Sequence, residues 1–408
     1  MVSYLKLAAN AVVPQCWLVV SAAFFGLALS ASQRWWRFTT VALFLAFCTV
    51  SIAAGKTSYW FAPGLSNLWH QSVLVCIVHT LTLVHDDKIV HDKPSPSLKE
   101  TLRKQNWQSK LLTVYKLSWN PRRVPILSNS GATDQRRAQH LSFYALGFLK
   151  LFVYYQLQFK LLPALFDETI VEIQPQDVSP ELELLVSQLG NISMREALVR
   201  AYISVCWIWE SIVYTDGAHT AFAMFFVFLG LDTPQDWPTL FGKPSGARSI
   251  RTFWTKFWHS IVIRPYKSAG AIAARQVFGL SQGSPMYPVA VTFTVFAISG
   301  VSHAIVAWYA GYQSWERNIY WYLLNFLACI AETAVMTALR KASKSSGYLR
   351  DFLHAIENSW VGELVGYIWV CTFLFLTVPM LKYPAEYQQA IAMENMKRIF
   401  SGMSVVSS

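Results

Sequence analysis

Two histidines, His259 and His303, are the side chains in this sequence best suited to catalysis. A neutral imidazole with an ordinary pKa of about 6.5 can accept a proton at one nitrogen and donate a hydrogen bond from the other. His303 lies near the middle of the apolar run 285–312, where an unpaired ionisable group is costly. It therefore indicates either a functional site or a histidine that bonds to a carbonyl on a closely packed neighbouring helix.

Most residues on the helical face of His303 are small. At 100° per residue, this face contains Phe296, Ser299, Gly300, Ala307, Ala310 and Gly311. Small residues beside an imidazole leave room for a neighbouring helix or for a bound substrate. Ser299 is therefore a candidate substrate-binding residue.

The segment before His259 combines aromatic and basic side chains. On a helical wheel, one side contains Phe253, Trp254, Phe257, Trp258 and Ile261, and the other contains Arg251, Thr252, Thr255, Lys256 and His259. This pattern predicts an amphipathic helix at the membrane surface, with its aromatic side in the headgroup region. The polar side would bind an anionic ligand that arrives from the cytosol. The alternative is a basic helix that binds only lipid headgroups.

The composition is that of a membrane protein. Hydrophobic residues make up 54% of the 408 residues and charged residues only 14%. The net charge of +11 is concentrated in loops between apolar runs, which is typical of membrane topology and argues against nucleic-acid binding. All six cysteines fall inside apolar runs, so neither a disulfide framework nor a metal site is predicted.

These patterns predict an all-α polytopic protein with about eight transmembrane helices and additional interfacial or re-entrant helices. Residues 1–84 form a three-span anchor, whose first span we expect to be retained rather than cleaved as a signal peptide. Residues 85–140 form a basic cytosolic loop, and residues 141–381 form the functional core. Residues 382–408 form an interfacial tail. We expect the protein in the endoplasmic reticulum membrane.

Loop charges predict the topology. The loop 164–197 is acidic and contains the sequon that begins at Asn191, so we expect it to be lumenal and glycosylated. Residues 198–231 are too long for one span and contain Asp216 and Gly217, which predict a break in the helix. Because the loop that follows is basic again, one half of this segment is expected to be interfacial or re-entrant.

Several short motifs together resemble the wax-synthase-like branch of the membrane-bound O-acyltransferases. They are Asn120-Pro121-Arg122-Arg123, the stretch from Asp232 to Pro238, Phe253-Trp254, Trp258-His259, and Ser299-Gly300-Val301-Ser302-His303. Within this branch, the sequence is most similar to fungal acetyltransferases that modify hydroxylated terpenoids and meroterpenoids in secondary metabolism. The Arg122-Arg123 pair alone predicts either an interfacial anchor or a contact for a phosphorylated ligand.

The resemblance implies a helical bundle with an internal tunnel, which acyl-CoA enters from the cytosol and the acceptor enters from the membrane or the lumen. It assigns His303 as the catalytic base and His259 as the partner that polarises the thioester. We expect membrane lipid as a further partner and acetyl-CoA as co-substrate, with no bound cofactor. The expected substrate-binding residues are Arg251, Trp254, Lys256, Trp258 and Ser299.

The predicted reaction is direct acetyl transfer to a hydroxyl group, with His303 as the general base. No GxSxG motif is present, and no cysteine lies in an electropositive setting that would activate it. Two alternatives stay open at this point. One is a wax or sterol ester synthase that uses long-chain acyl-CoA. The other is a proton-coupled transporter with a relay through His303, Glu332 and Glu210.

Overall fold

The computed structural model of the chain describes residues 2–30, 33–58, 63–85, 105–122, 134–164, 173–183, 192–357 and 359–406. Regular structure in these ranges is entirely helical, which confirms the predicted class. The α-helices described are α1 (Val2–Ser30), α2 (Arg34–Ser58), α3 (Pro63–His85), α4 (Trp107–Ser118), α5 (Asp134–Gln156), α6 (Met194–Phe228), α7 (Ile250–Thr252), α8 (Ile263–Gln276), α9 (Met286–Tyr309), α10 (Arg317–Ser343), α11 (Gly347–Glu357) and α12 (Trp360–Val406).

Seven helices in the described part of the chain are long and apolar enough to cross a membrane, which makes this a multi-pass membrane protein. The candidate spans are Val12–Leu29, Trp35–Lys56, Gly64–His85, Met194–Phe228, Met286–Tyr309, Arg317–Ser343 and Trp360–Ile399. The sequence also predicts a span over 141–163, which is not among these seven. There α5 gives way to a π-helical turn at Leu157–Leu161, and its polar first turns leave too short an apolar stretch.

The predicted break at Asp216 and Gly217 is wrong, because α6 runs without interruption for 35 residues. Asp216 is buried, but its carboxylate pairs with the ammonium group of Lys150 and accepts a hydrogen bond from Tyr154 Oη at 2.8 Å. Because the acidic group is neutralised by side chains of α5, the helix need not open to solvate it. The predicted interfacial or re-entrant half is therefore not found in α6.

The chain folds into two compact units. Unit 1 comprises Met1–Arg136, Asp232–Leu240 and His259–Val306, and unit 2 comprises Arg137–Leu231, Phe241–Trp258 and Ala307–Ser408.

In unit 1, the first four helices enclose a hydrophobic core. Its fully buried members include Phe25, Leu29, Cys48, Val73 and Leu83. Between α3 and α4, His79 Nε2 lies 2.8 Å from the carbonyl oxygen of Leu117. This bond gives the buried imidazole a partner and fixes α4 against the anchor.

In unit 2, α12 packs along α6. Ser204 Oγ donates to the carbonyl oxygen of Leu374 at 3.4 Å, and the buried guanidinium of Arg200 lies 5.5 Å from the ring centre of Tyr383. Helix α12 is 47 residues long and continues through Pro379 and Pro384. It therefore contains the segment predicted as the interfacial tail, 382–408, as far as Val406.

Candidate active site

The two predicted catalytic histidines belong to the same unit. His303 lies on α9, His259 lies in the bend that precedes α8, and both side chains are half-buried. Burial lowers the pKa of His259 to about 4, and repulsion from a charged His303 imidazole contributes to the same shift. The fold therefore brings two imidazoles into electrostatic contact and keeps His259 neutral at pH 7. Their catalytic roles stay predictions.

A buried tyrosine, Tyr266 on α8, is bonded beside His303. Its Oη lies 3.2 Å from Ser302 Oγ, while Ser302 Oγ lies 2.7 Å from the carbonyl oxygen of Ile298. The serine proton goes to that carbonyl, so the tyrosine donates to the serine. Burial raises the pKa of Tyr266 to about 12, which keeps this donor protonated. The bond fixes α8 against α9 at the residue before His303.

Tyr266 was not singled out from the sequence, although a signal for its burial is present. Gly270 and Ala274 follow it at helical spacing, and this narrow stripe of small residues is typical of close helix packing. In the structure all three residues are buried. A Cβ added to Gly270 would lie 2.8 Å from the carbonyl oxygen of Val291 on α9, so the two backbones nearly touch.

Ser299, a predicted substrate-binding residue, is buried on α9 one turn before His303. Its hydroxyl donates to the carbonyl oxygen of Val295 at 2.9 Å, within the same helix. The oxygen can still accept a hydrogen bond. Its contact with substrate stays a prediction.

The segment before His259 is helical over 250–257, and Arg251, Thr255 and Lys256 are exposed on one side, as predicted. The predicted placement of the aromatic side in the headgroup region is wrong. Helix α7 is one short turn, followed by a π-helical turn at Phe253–Phe257 that ends before Trp258. Phe253, Phe257 and Trp258 are buried within the protein rather than directed to lipid. Their aromatic partners outside the turn, Trp207 of α6 and Phe241, also belong to unit 2. A helical wheel does not include such partners, which is why it assigned these rings to the headgroup region.

The two predicted substrate-binding tryptophans belong to this aromatic cluster. Trp258 stacks on Trp207 of α6 with ring centres 4.9 Å apart and an interplanar angle of 15°. Trp254 Nε1 donates to the side-chain oxygen of Asn325 at 2.9 Å, and Asn325 is itself buried on α10. The two rings thus hold the π-helical turn against α6 and α10, within unit 2. A substrate contact for either of them stays a prediction.

Glu332 on α10 holds the start of α7. Its carboxylate accepts hydrogen bonds from the backbone N–H groups of Ile250 at 2.6 Å and Arg251 at 3.1 Å, and from Trp369 Nε1 at 2.6 Å. These bonds give the acidic group a structural role. They weaken the transporter alternative, which required Glu332 as a proton relay and residues 198–231 as a broken helix.

An open cleft with a volume of about 380 Å³ lies beside the π-helical turn. It is lined by Lys243, Ser245, Gly246, Arg248, Thr252 and Lys256. Arg248 is anchored, because it donates to the carbonyl oxygen of Ser245 at 3.0 Å and pairs with Glu363 at 2.8 Å. Lys256 was a predicted binding residue and lines the cleft, whereas the predicted Arg251 is not among its lining residues.

Lys243 and Arg248 were not predicted from the sequence as binding residues. The signal was the short turn Lys243-Pro244-Ser245-Gly246, which exposes a lysine beside hydroxyl and backbone donors. In the structure, Gly242 at the start of this turn donates from its N–H to the carbonyl oxygen of Phe257 at 2.9 Å. A Cβ at Gly242 would overlap the carbonyl oxygen of Lys256, so only glycine fits.

Two other predicted features have different outcomes. Arg122 binds backbone carbonyls of the segment that follows Asp232 and is therefore engaged by the protein. Arg123 and the sequon residue Asn191 lie outside the described residues.

Within the described ranges, no group of three or more His, Cys, Asp or Glu side chains is arranged to hold a metal ion.

The segment that contains both histidines is similar to a known protein family. Residues 237–326 match the model of the membrane bound O-acyl transferase family. The predicted family resemblance is confirmed. The matching segment also contains Tyr266, Ser302 and the aromatic turn.

Similar proteins from fungi are named acetyltransferases. The chain is 31% identical to acetyltransferase atnC of Arthrinium sp over 205 residues, which are 49% of this chain and 45% of that protein. It is 31% identical to acetyltransferase spyB of Aspergillus fumigatus, over 39% of this chain and 28% of that protein. It is 32% identical to acetyltransferase nanB of Aspergillus nanangensis, over 38% and 36%. The chain thus spans less than half the length of each. No solved structure matches it significantly.

Proposed function

We propose that this chain is an acyl-CoA-dependent O-acyltransferase that moves an acetyl group from acetyl-CoA to a hydroxyl group. The observation that supports this proposal most strongly is the pairing of His259 and His303 in one unit, within the segment that matches an O-acyl transferase family. The printed names of the similar fungal proteins support acetyl as the transferred group.

In the proposed reaction, His303 accepts the proton of the acceptor hydroxyl while the alcohol oxygen attacks the thioester carbonyl carbon. The C–O bond forms, the C–S bond then breaks, and the thiolate of CoA takes the proton back from His303. General-base catalysis of this kind typically accelerates a reaction roughly 10²- to 10⁴-fold. No covalent acyl-enzyme is required.

His259 stabilises the negative charge that develops on the thioester oxygen by donating a hydrogen bond. This role is supported by its lowered pKa of about 4, because the imidazole then stays neutral at pH 7 and does not add a second positive charge beside a protonated His303. Tyr266 and Ser302 hold the two helices that flank the histidines.

The cleft in unit 2 supports a nucleotide-bearing co-substrate. CoA carries a diphosphate and a 3′-phosphate, and the cleft is lined by Lys243, Lys256 and an Arg248 that also pairs with Glu363, with hydroxyl groups beside them. Lysine and arginine are common phosphate-binding residues. The chemistry of this cleft therefore suits a phosphate-bearing ligand.

We further propose a hydroxylated terpenoid or meroterpenoid as the acceptor, in fungal secondary metabolism and at the endoplasmic reticulum membrane. The fungal origin of the similar proteins supports this assignment. A membrane-soluble acceptor also suits a protein with seven candidate spans in its described part.

The test is transfer of labelled acetyl from acetyl-CoA in microsomes that contain the chain, with a panel of hydroxylated terpenoids as acceptors. His303→Ala should lower product formation by roughly 10²- to 10⁴-fold, while the amount of protein in the membrane stays the same. His140→Ala, which removes a histidine from α5, serves as the matched control. Ester formation only with long-chain acyl-CoA would replace acetyl transfer with ester synthesis. No product with either donor would refute the acyltransferase.

A further inference from the structure

In unit 1, the carbonyl groups of Pro238 and Thr239 are bonded to an arginine that is distant in the sequence, Arg122. Arg122 Nη1 donates to the carbonyl oxygen of Pro238 at 2.6 Å, and Nη2 donates to that of Thr239 at 2.8 Å. Burial lowers the pKa of Arg122 because its charge is partly removed from water. The two carbonyls offset that cost, and the planar fork of arginine is what allows one side chain to bind both of them.

The next carbonyl in the same segment holds the residue after His259. The backbone N–H of Ser260 donates to the carbonyl oxygen of Leu240 at 3.1 Å, and its Oγ lies 3.3 Å from that oxygen. Three successive carbonyls are therefore bonded, two by Arg122 and the third by Ser260. A shift of this segment moves the backbone that carries the His259 imidazole.

The preceding part of the segment is also fixed, so Arg122 acts on a rigid element. Asp232 Oδ2 accepts hydrogen bonds from Tyr115 Oη and Trp237 Nε1, both at 3.1 Å. Lys116 Nζ lies 3.5 Å from Asp236 Oδ2. Tyr115 and Lys116 belong to α4, and Arg122 follows four residues after the end of that helix. Residues 115–122 thus bind the segment 232–239 at both of its ends.

We propose that Arg122 is a positioning residue for His259. It acts through the carbonyls of residues 238–240 and the bonds of Ser260, and it does not itself contact substrate. This inference rests on the proposed function, in which His259 must donate its hydrogen bond along one direction. A small displacement of a group that stabilises the transition state is costly even when the substitution lies far from the chemistry.

The kinetic test compares Arg122→Ala, Arg122→Lys and the control Lys110→Ala, which removes an exposed cation from α4, the helix that precedes Arg122. Arg122→Ala should lower kcat roughly 10- to 100-fold and leave the KM for acetyl-CoA unchanged. Lysine replaces two directed bonds with one, so Arg122→Lys should recover part of kcat. A wild-type kcat in Arg122→Lys would overturn the proposal. If Arg122→Ala does not accumulate in the membrane, the kcat of Arg122→Lys alone tests the proposal.

A double-mutant cycle separates positioning from general stability. In a His259→Ala background the positioned group is absent, so Arg122→Ala should cause little further loss of kcat. Equal fold-losses in the wild-type and His259→Ala backgrounds would overturn the proposal.

A third readout does not depend on turnover. Diethylpyrocarbonate modifies accessible neutral histidines, and mass spectrometry locates the modified residue. His259 should react several-fold faster in Arg122→Ala than in wild type, with no change in Lys110→Ala. Unchanged reactivity would overturn the positioning role. If the wild-type chain transfers no acyl group but His259 still reacts faster in Arg122→Ala, only the proposed function is refuted.

Discussion

Two regions of the molecule hold ionisable groups in or beside membrane segments, and they do so in opposite ways. In unit 1, His259 and His303 are a pair that would carry like charges, and the pKa of His259 is lowered so that it stays neutral. In unit 2, Asp216 forms an ion pair with Lys150 and accepts a hydrogen bond from Tyr154.

The difference separates groups that are poised for chemistry from groups that stabilise the fold. An opposite-charge pair is already neutralised by its partner, and using it for proton transfer would break the pair. A neutral imidazole has no opposite-charge partner to lose when it accepts a proton, so a buried charge appears only when the reaction creates it. An ionisable residue at membrane depth therefore indicates function only once its partner is known.

The largest effect on kcat is expected for the histidine pair of unit 1. His259→Ala should lower kcat roughly 10²- to 10³-fold, the usual cost of losing one donor to a developing oxyanion. His259→Asn should lose less, because an amide still donates a hydrogen bond. Acetyl transfer in microsomes, normalised to the amount of membrane protein, measures both. Equal losses in the two variants would contradict the donor role and make the pair structural.

The opposite-charge pair should respond in stability rather than in turnover. Lys150→Met leaves the buried carboxylate of Asp216 without its cation and should cost roughly 3 kcal/mol of stability. Thermal unfolding in detergent measures the change as a lower Tm. The matched control is the double variant Lys150→Met with Asp216→Asn, which removes both charges and should recover most of the loss. An unchanged Tm in Lys150→Met would remove the distinction between the two regions.

The smallest effect concerns pH. The folded-state pKa of His259, about 4, lies below the ordinary 6.5, so the unfolded chain binds more protons in acid. Its contribution to stability is complete above pH 6.5 and is lost as the pH falls from 6.5 to 4. At pH 5 the loss should be about 2 kcal/mol. His259→Asn should flatten the difference in Tm between pH 7.5 and pH 5, and an unaltered difference would contradict the assignment.

Hydropathy and charge predicted much of the fold, because a span needs only a long apolar run. The helix class and the multi-pass character follow from this. The break at Asp216 was predicted wrongly because its partner, Lys150, lies 66 residues earlier on another helix. No local pattern reveals such a partner.

The candidate site shows the same limit. The histidines stand out by residue type, since few other side chains exchange protons near pH 7. The aromatic residues at 253–258 were assigned to lipid because a helical wheel cannot distinguish lipid from protein. Their neighbours, Trp207 and Trp321, come from distant parts of the chain. Arg122 likewise required knowledge of which carbonyls it meets.

The close approach at Gly270 also bears on which sequences this fold tolerates. The atom that a Cβ would meet is a backbone carbonyl oxygen of Val291, so no change of rotamer can relieve the contact. Any larger residue must push one whole helix away from another. Which residues can replace Gly270 is therefore limited by the distance between α8 and α9. Glycine has no reactive atom, yet its position is constrained by packing.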